Sequence, residues 1–245
     1  MQQRILTPEP EINRSLEGFS VADILEERAI VMRKRRKRVR TKAALIAAAA
    51  RELEKSGFDS LTVEGISEAA GMARGTFYLY YKSRSEIAAT VMKFYWALVR
   101  IHRPKGGSKL SLRESVHRMN TFSGNMAMKN ARLLSGRETL MLENPAIARR
   151  LETINRTWAR RIVQDVMARS GMKPETQDTE FLLLKARAVI NMSDALLRDI
   201  YRGTTQGGAR ETADQALVVR VMDDLWYRAL YKPDNAAGTI PPDAL

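Results

Sequence analysis

Cysteine is absent from this 245-residue chain, and histidine occurs only twice. The lack of cysteine excludes disulfides, thiol nucleophiles and thiolate metal sites, and it favours a reducing, cytoplasmic setting. The longest unbroken apolar run, Ala43 to Ala50, is far shorter than the roughly 20 residues that a membrane-spanning helix needs. The amino end also lacks the succession of charged, apolar and small residues of a secretory signal. The sequence therefore predicts a soluble protein.

Groups that would indicate catalysis are equally scarce. His102 and His117 fall in different predicted helices, without carboxylate neighbours at ligand spacing, so they are interpreted as surface or hinge residues rather than metal ligands. No nucleophile elbow, phosphate loop or dinucleotide fingerprint occurs. We predict neither an enzyme nor a cofactor. The carboxylates most open to an acid–base role are expected on solvated helix faces: Asp194, Asp199, Asp223 and Asp224.

What the chain has in excess is positive charge. Its net charge is +13, which favours a polyanionic partner, and both residues 1–84 and residues 85–245 carry more Lys and Arg than Asp and Glu. The densest block is residues 33–40, with Arg35, Arg36, Arg38 and Arg40 among its basic residues. Such a block is often a self-repelling, solvated segment. Ahead of a DNA-binding unit it is also interpreted as an arm that follows phosphates or enters the minor groove.

Two short helices follow a longer Ala-rich one. Residues 41–56 predict a strong helix that Gly57 ends. Thr62 is then placed to cap a short helix that ends at Gly71, and a second short helix runs from Arg74 to Tyr80. Two short helices joined by a tight, glycine-bearing turn form a helix-turn-helix unit.

This stretch resembles the DNA-binding signature of bacterial transcriptional regulators of the tetracycline-repressor (TetR) type. The resemblance covers roughly residues 41–87 and implies an all-α protein, with an amino-terminal helix-turn-helix domain and a carboxy-terminal helical domain that binds an effector and dimerises. The residues that carry it are Thr62, Ile66, Ala70, Gly71, Gly75, Thr76, Phe77, Tyr78, Lys82, Ser83, Arg84, Ser85, Glu86 and Ile87.

Contacts with double-stranded DNA are expected from the second short helix, because the early residues of a helix in the major groove face the base edges. Arg74 is placed to pair with guanine and Thr76 to meet a base or a thymine methyl group. For Arg74 the alternative is a phosphate contact, and for the two tyrosines it is helix packing. The remaining expected DNA-binding residues are Thr41, Thr62, Gly75, Tyr78, Tyr80 and Lys82.

The rest of the chain is predicted to be helical throughout. Ser83 with Glu86 and Ser111 with Glu114 have capping-box spacing, and Asn144 precedes a proline suited to a first helical turn. The apolar stripes of the last two helices are wide, with Leu183, Ile190 and Leu196 added, which indicates a second buried surface. We expect a homodimer through about 178–231, as the resemblance also implies. The expected helices are 83–102, 111–126, 131–143, 145–170, 178–202 and 212–231.

Methionine and aromatic residues are frequent between residues 110 and 230. They are interpreted as core, or alternatively as the wall of a cavity for an apolar effector, with Asn120, Ser123 or Asn155 as polar contacts. The basic side of one helix also motivates an anionic effector of acyl-coenzyme A type. Its arginines are Arg149, Arg150, Arg156, Arg160 and Arg161, and the candidate wall residues are Met119, Phe122, Met126, Ile154, Trp158 and Ile162.

These observations predict a regulator, most simply a repressor, that binds a near-palindromic operator as a dimer. Two alternatives stay open: an architectural DNA-binding protein, and a regulator whose second domain binds a protein instead of a small ligand. The predicted divisions are an amino-terminal extension over 1–40, with a mobile tail over 1–19 and a basic arm, the helix-turn-helix domain over 41–84, the effector and dimer domain over 85–232 and a tail over 233–245.

Overall fold

A computed structural model describes residues 14–105, 110–170, 176–202 and 214–230. These ranges fold into helices without any strand, which confirms the all-α prediction. The predicted tail over 233–245 and the predicted start of the last helix at residue 212 lie outside the described residues. The helices are α1 (Arg14–Glu17), α2 (Val21–Met32), α3 (Lys37–Ser56), α4 (Val63–Ala69), α5 (Arg74–Tyr78), α6 (Arg84–His102), α7 (Leu112–Lys129), α8 (Ala131–Ser135), α9 (Arg137–Glu143), α10 (Pro145–Ser170), α11 (Thr176–Arg202) and α12 (Gln215–Leu230).

Residues 14–32, which we call the amino-terminal strap, are firmly docked, so the prediction of a mobile tail is wrong for residues 14–19. Asn130 at the end of α7 accepts a hydrogen bond from the Val21 backbone N–H at 3.0 Å and donates one to the Phe19 carbonyl at 2.9 Å. Gly18 has φ +67° and lies against the backbone of Asn125. No local pattern indicates this docking, because its partners are more than 100 residues away along the chain.

The strap also packs along α3. Val21, Ala22 and Leu25 of α2 are buried in the same core as the helix-turn-helix. Beside them, the guanidinium of Arg51 bonds the carboxylates of Asp23 and Glu26 at 2.6 Å and also contacts Glu54, while the Ser20 hydroxyl donates to Glu54 at 2.5 Å. Packing and ion pairs together fix α2 on α3. The helix that was expected to begin at Thr41 begins one turn earlier, at Lys37.

The three helices of the DNA-binding unit form a tight core. Leu45, Ile66 and Phe77, one from each of α3, α4 and α5, have no exposed surface, and Phe58 in the connecting turn is 1% exposed. Phe77 thus holds the short α5 against the other two helices. Thr62 caps α4 as predicted, accepting a hydrogen bond from the Gly65 N–H at 3.0 Å.

Most predicted helix starts downstream are also observed. Ser83 and Ser111 cap α6 and α7 by accepting hydrogen bonds at 3.2 Å from the N–H groups three residues on. The box at Ser83 is not fully reciprocal, because Glu86 bonds the backbone N–H of Lys82 instead. The segment expected as one helix over 131–143 is two helices, interrupted at Gly136. A Cβ atom there would lie 2.5 Å from the Cβ of Phe58, so the break lets this segment reach the end of the DNA-binding unit.

The helices that follow share much of this core. One buried cluster extends from α2 to α12 and includes Phe122, Met126 and Met222. A second, smaller cluster joins the far ends of α10, α11 and α12 around Ala159, Val163 and Ala186. Between them lies incompletely filled space, which makes up the cavity described below.

Candidate nucleic-acid interface and ligand cavity

The outward face of α5 is polar and accessible. The Arg74 guanidinium is 2.5 Å from the Glu64 carboxylate of α4 and donates a hydrogen bond to the Tyr78 hydroxyl at 3.3 Å. Both partners of the ion pair are more than half exposed. Such an exposed pair contributes little to stability, because water screens it. Arg74 can therefore exchange Glu64 for a base edge or a phosphate at small cost.

Gly75 follows Arg74 on the same exposed turn of helix. A Cβ atom added there would meet no other atom within 4 Å. No contact within the described protein therefore requires glycine at this position. A backbone without a side chain does permit close approach of a ligand.

Three expected DNA contacts are buried or half-buried, and so less accessible than predicted. Tyr80 is half-buried and packs against the core, which agrees with the packing alternative. Thr41 is only 8% exposed, because α3 starts at Lys37 and turns this residue inward. The other expected contacts on the unit, Thr62, Tyr78 and Lys82, are exposed, and Thr76 is half-buried.

The basic block is not a free arm. Its first four residues, Arg33 to Arg36, form the turn between α2 and α3, which we call the basic elbow, and the rest is helical. All the side chains from Arg33 to Arg40 are exposed. Lys37 and Arg40 line a groove together with Met72, which lies in the turn between α4 and α5. The charge is thus anchored at both ends and lies beside the helix-turn-helix.

A cavity of about 200 Å³, which we call the inner cavity, lies among α6, α7, α8, α10, α11 and α12. Its wall includes five of the six predicted residues together with the three predicted polar contacts. Ile154 is the exception: it is half-buried but does not line the cavity, whereas its neighbour Asn155 does. The predicted residues on the wall are Met119, Asn120, Phe122, Ser123, Met126, Asn155, Trp158 and Ile162.

The inner cavity has an ionic side that sequence reasoning missed. Asp194 and Arg198 of α11 line it, and Asp194 forms a two-bond pair, at 2.7 and 3.2 Å, with the buried Arg137 of α9. Glu138 completes the cluster through Arg198 at 3.1 Å. Burial raises the pKa of the Asp194 carboxyl above its ordinary value, and Arg137 offsets part of this rise. The expectation of a simply solvated Asp194 is therefore wrong.

Tyr95 and Trp226 also line the inner cavity without having been predicted. Burial raises the pKa of the Tyr95 hydroxyl well above its ordinary range, so this group is a neutral hydrogen-bonding partner. The indole N–H of Trp226 donates to the Ser193 hydroxyl at 2.7 Å and joins α12 to α11. Both residues fall on helical apolar stripes, but the sequence does not show which stripe positions face empty space.

His117 does have a carboxylate neighbour, contrary to expectation. Its Nδ1 lies 2.7 Å from Asp223, whose other oxygen accepts a hydrogen bond from Asn120 at 2.8 Å. These contacts join α7 to α12 on the protein surface. Asp223 was expected to be merely solvated, and the pairing was missed because its partners lie about a hundred residues apart in sequence.

The basic side of α10 divides in two. Arg149, Arg150, Arg156 and Arg160 are exposed and do not line the inner cavity. Arg161 differs, because it lines a second hollow of about 800 Å³ beside the inner cavity, which we call the outer vestibule. Only this arginine of the five is placed near the space that an effector would enter.

An apolar stripe is exposed on the other face of α11 and continues on α12. The large side chains are exposed by 58% at Phe181, 65% at Leu184 and 39% at Met192, with Leu217 and Val221 on α12. These are not the residues expected to provide a second surface. Leu183, Ile190 and Leu196 pack against the two clusters of the same chain.

Among the described residues, no helix is long and apolar enough to cross a membrane. Nor does that part of the chain bring together three or more His, Asp or Glu residues that could hold a metal ion.

Comparisons with known proteins agree with this geometry. The family model described as bacterial regulatory proteins, tetR family, matches residues 45–91, which include α4 and α5. The fold is similar to the crystal structure of a TetR-like transcriptional regulator from Rhodococcus sp. RHA1, with a TM-score of 0.54 and 18% sequence identity. That similarity covers 81% of this chain and 100% of the other. A search of curated protein sequences gave no significant match.

Proposed function

We propose, from the premise that this chain belongs to the TetR family of bacterial regulators, that it is a repressor. In this proposal a dimer binds a near-palindromic operator and leaves it when a small, largely apolar effector binds. The observation that carries the proposal is the pairing of an exposed, polar α5 on a rigid core with a largely apolar cavity in the same molecule. Because such regulators act on chromosomal DNA, a cytoplasmic location is part of the proposal.

The reading of DNA is assigned to Arg74 and its neighbours on α5. Arg74 is exposed and only loosely held, Gly75 leaves room for the DNA backbone, and Thr62 caps the preceding helix. The exposed charges of the basic elbow would supply phosphate contacts that add affinity without base choice. Selection of binding sites from random duplexes with the purified protein tests this directly. We expect enrichment of an inverted repeat.

The specificity ratio distinguishes this function from an architectural role. Specific complexes are typically about 10³–10⁷-fold tighter than nonspecific ones. A selected duplex and its scrambled counterpart should therefore differ widely in Kd at one salt concentration. Equal affinities, without any enriched motif, would indicate an architectural DNA-binding protein instead.

Arg74→Ala separates base reading from phosphate contact. If Arg74 pairs with guanine, the variant loses about 1–3 kcal/mol on the selected operator and relaxes the preference at one position. A uniform loss on all duplexes would assign it to a phosphate. Glu64→Gln should strengthen binding, because it frees Arg74 and removes a negative charge. Arg150→Ala is the matched control, since Arg150 is also exposed but lies on α10.

Dimerisation is proposed through the exposed stripe of α11 and α12. The stripe runs at helical spacing and would be covered by the same stripe of a second copy, the usual arrangement of a two-fold interface. Leu184→Glu should yield monomers in sedimentation velocity. Leu142→Glu is the control, because Leu142 is 83% exposed outside these helices. Unaltered dimers in the Leu184 variant would contradict this interface.

Release from DNA is proposed to pass through α8. Ala131, Leu134 and Ser135 line the inner cavity, while Arg132 on the same helix donates a hydrogen bond to the Lys55 carbonyl at the end of α3 at 2.8 Å. An effector that moves α8 would thus reposition the DNA-binding unit, provided that it binds the released arrangement more tightly.

Filling the inner cavity by mutation tests this coupling. Ser123→Leu adds apolar volume on the cavity wall, so it should weaken operator binding without any ligand. Met128→Leu on the exposed side of α7 is the control. Unchanged operator affinity in a folded Ser123 variant would instead favour a regulator whose second domain docks a protein.

A further inference from the structure

The outer vestibule adjoins the inner cavity across a shared partition. Met119, Asn120, Trp158, Ile162 and Trp226 line both hollows. Methionine and isoleucine side chains can change rotamer within such a partition, and methionine in particular fits irregular space. The two hollows are therefore two compartments of one potential binding site.

The outer vestibule is basic. Arg103, Lys105, Arg161 and Arg169 line it, with Asp165 as the carboxylate among its lining residues. Within the described ranges, only Arg169 of these cations forms an ion pair, at 2.9 Å from Asp165. Partial burial, together with the like charges of Arg161 and then Arg100, lowers the pKa of Arg103. Among the described residues that line the vestibule, four cations thus accompany a single carboxylate.

Arg103 is held in the outer vestibule, against the partition that the two hollows share. Its guanidinium lies 3.9 Å from the centroid of the Trp158 ring, and Trp158 forms part of the partition. A guanidinium stacked on an aromatic face keeps the N–H donors in its own plane free for an anion. The arginine therefore presents a fixed positive group next to an apolar compartment.

The inner cavity differs because its charges are balanced. Arg137 and Arg198 are matched there by Asp194 and Glu138. Its volume of about 200 Å³ is also below the roughly 300–1,000 Å³ usual for ligand pockets. A ligand that fills it would extend into the outer vestibule. We propose that the effector is an amphipathic anion, with its apolar body in the inner cavity and its anionic group on Arg103 and Arg161.

This inference rests on the proposed function, since it specifies the effector class of the same site. The anionic group can be a carboxylate next to a short acyl chain or the phosphates of an acyl-coenzyme A thioester, which share the same arginine chemistry. Isothermal titration calorimetry with octanoate, octanoyl-coenzyme A and uncharged 1-octanol separates charge from apolar contact. We expect at least one of the anions to bind more tightly than the alcohol. The anion that binds more tightly will show whether the arginines recognise a carboxylate or the phosphates of coenzyme A.

Two variants and a neighbouring control locate the anion. Arg103→Gln and Arg161→Gln should each weaken binding of the preferred anion by about tenfold or more, as the loss of a charged hydrogen bond implies, and leave 1-octanol unaffected. Arg160→Gln should change neither, because Arg160 is exposed on the same helix outside the vestibule. Equal binding of alcohol and anions, or equal losses in all three variants, would overturn the inference.

Parallel operator-binding assays separate this inference from the proposed function. If the protein binds its selected operator but neither anion, the anionic effector is refuted and DNA regulation stands. If an anion binds with the expected arginine dependence but no specific DNA complex forms, the binding site stands and the proposed function fails. Release of the operator by the same anion, weakened in the Arg161 variant, would support both.

Discussion

The DNA-binding unit and the cavity region are built in different ways. The unit draws its core from residues close in sequence, and its apolar side chains at Leu45, Ile66 and Phe77 are wholly buried. The cavity region draws its wall from six helices spread over more than a hundred residues, and it leaves space and charge inside. A locally built unit can stay rigid while a region assembled from distant parts adapts to a ligand.

The largest effect is expected in the core of the unit. Phe77→Ala removes the side chain that holds α5 on α3 and α4, and truncation of a buried phenylalanine costs about 3–5 kcal/mol. Chemical denaturation should show this loss together with loss of operator binding. The comparison partner is Met126→Ala at the cavity wall, which should cost less because space already lies beside it. A larger loss of stability in Met126→Ala than in Phe77→Ala would contradict this difference between the two regions.

The ionic side of the inner cavity should give the next largest effect. Asp194→Asn removes the charge that pairs with Arg137, which is 6% exposed. Because hydrogen bonds to charged groups contribute about 1.5–3 kcal/mol and Asp194 keeps some solvent access, we expect a loss of about 1–3 kcal/mol by thermal unfolding. Asp199→Asn, on the exposed side of the same helix, should be neutral. Equal losses would show that the pair contributes little.

The docking of the strap can be isolated with a pair of glycines. Gly18 and Gly71 both have positive φ, at +67° and +63°, so alanine costs roughly 1–2 kcal/mol of backbone strain at either site. At Gly18 the added Cβ would also lie 2.9 Å from the Asn125 backbone, whereas at Gly71 it meets nothing. Gly18→Ala should therefore destabilise more than Gly71→Ala in denaturant titrations. Equal losses of stability in the two variants would mean that α7 shifts to accommodate the added Cβ atom at no cost.

Helix caps should show no contrast between the regions, and their effects are the smallest. Thr62→Ala in the unit and Ser111→Ala in the cavity region each remove one acceptor for a backbone N–H. Each should cost about 1 kcal/mol, as is typical for N-caps. A clear difference in their effects on stability, measured by the same denaturant titration, would show that caps also respond to their surroundings.

The same contrast explains what the sequence could predict. Caps at Thr62, Ser83 and Ser111 depend on residues within one turn, so helix starts were predicted correctly, as was the helix-turn-helix. The split of 131–143 was missed because it depends on Phe58, far away in the chain. Most cavity residues followed from helical spacing and composition. Their ionic partners at Asp194 and Asp223 did not, since nothing in a local pattern shows which distant helix packs there.

The basic elbow has a consequence for how phosphates would be met. Because the strap fixes α2 on one side and α3 continues on the other, the elbow's backbone from Arg33 to Arg36 is already ordered before any duplex arrives. A flexible arm would lose conformational freedom on contact, at about 1–2 kcal/mol for each backbone residue fixed. Here that loss has been incurred during folding, so binding of a duplex does not have to order the backbone of the elbow.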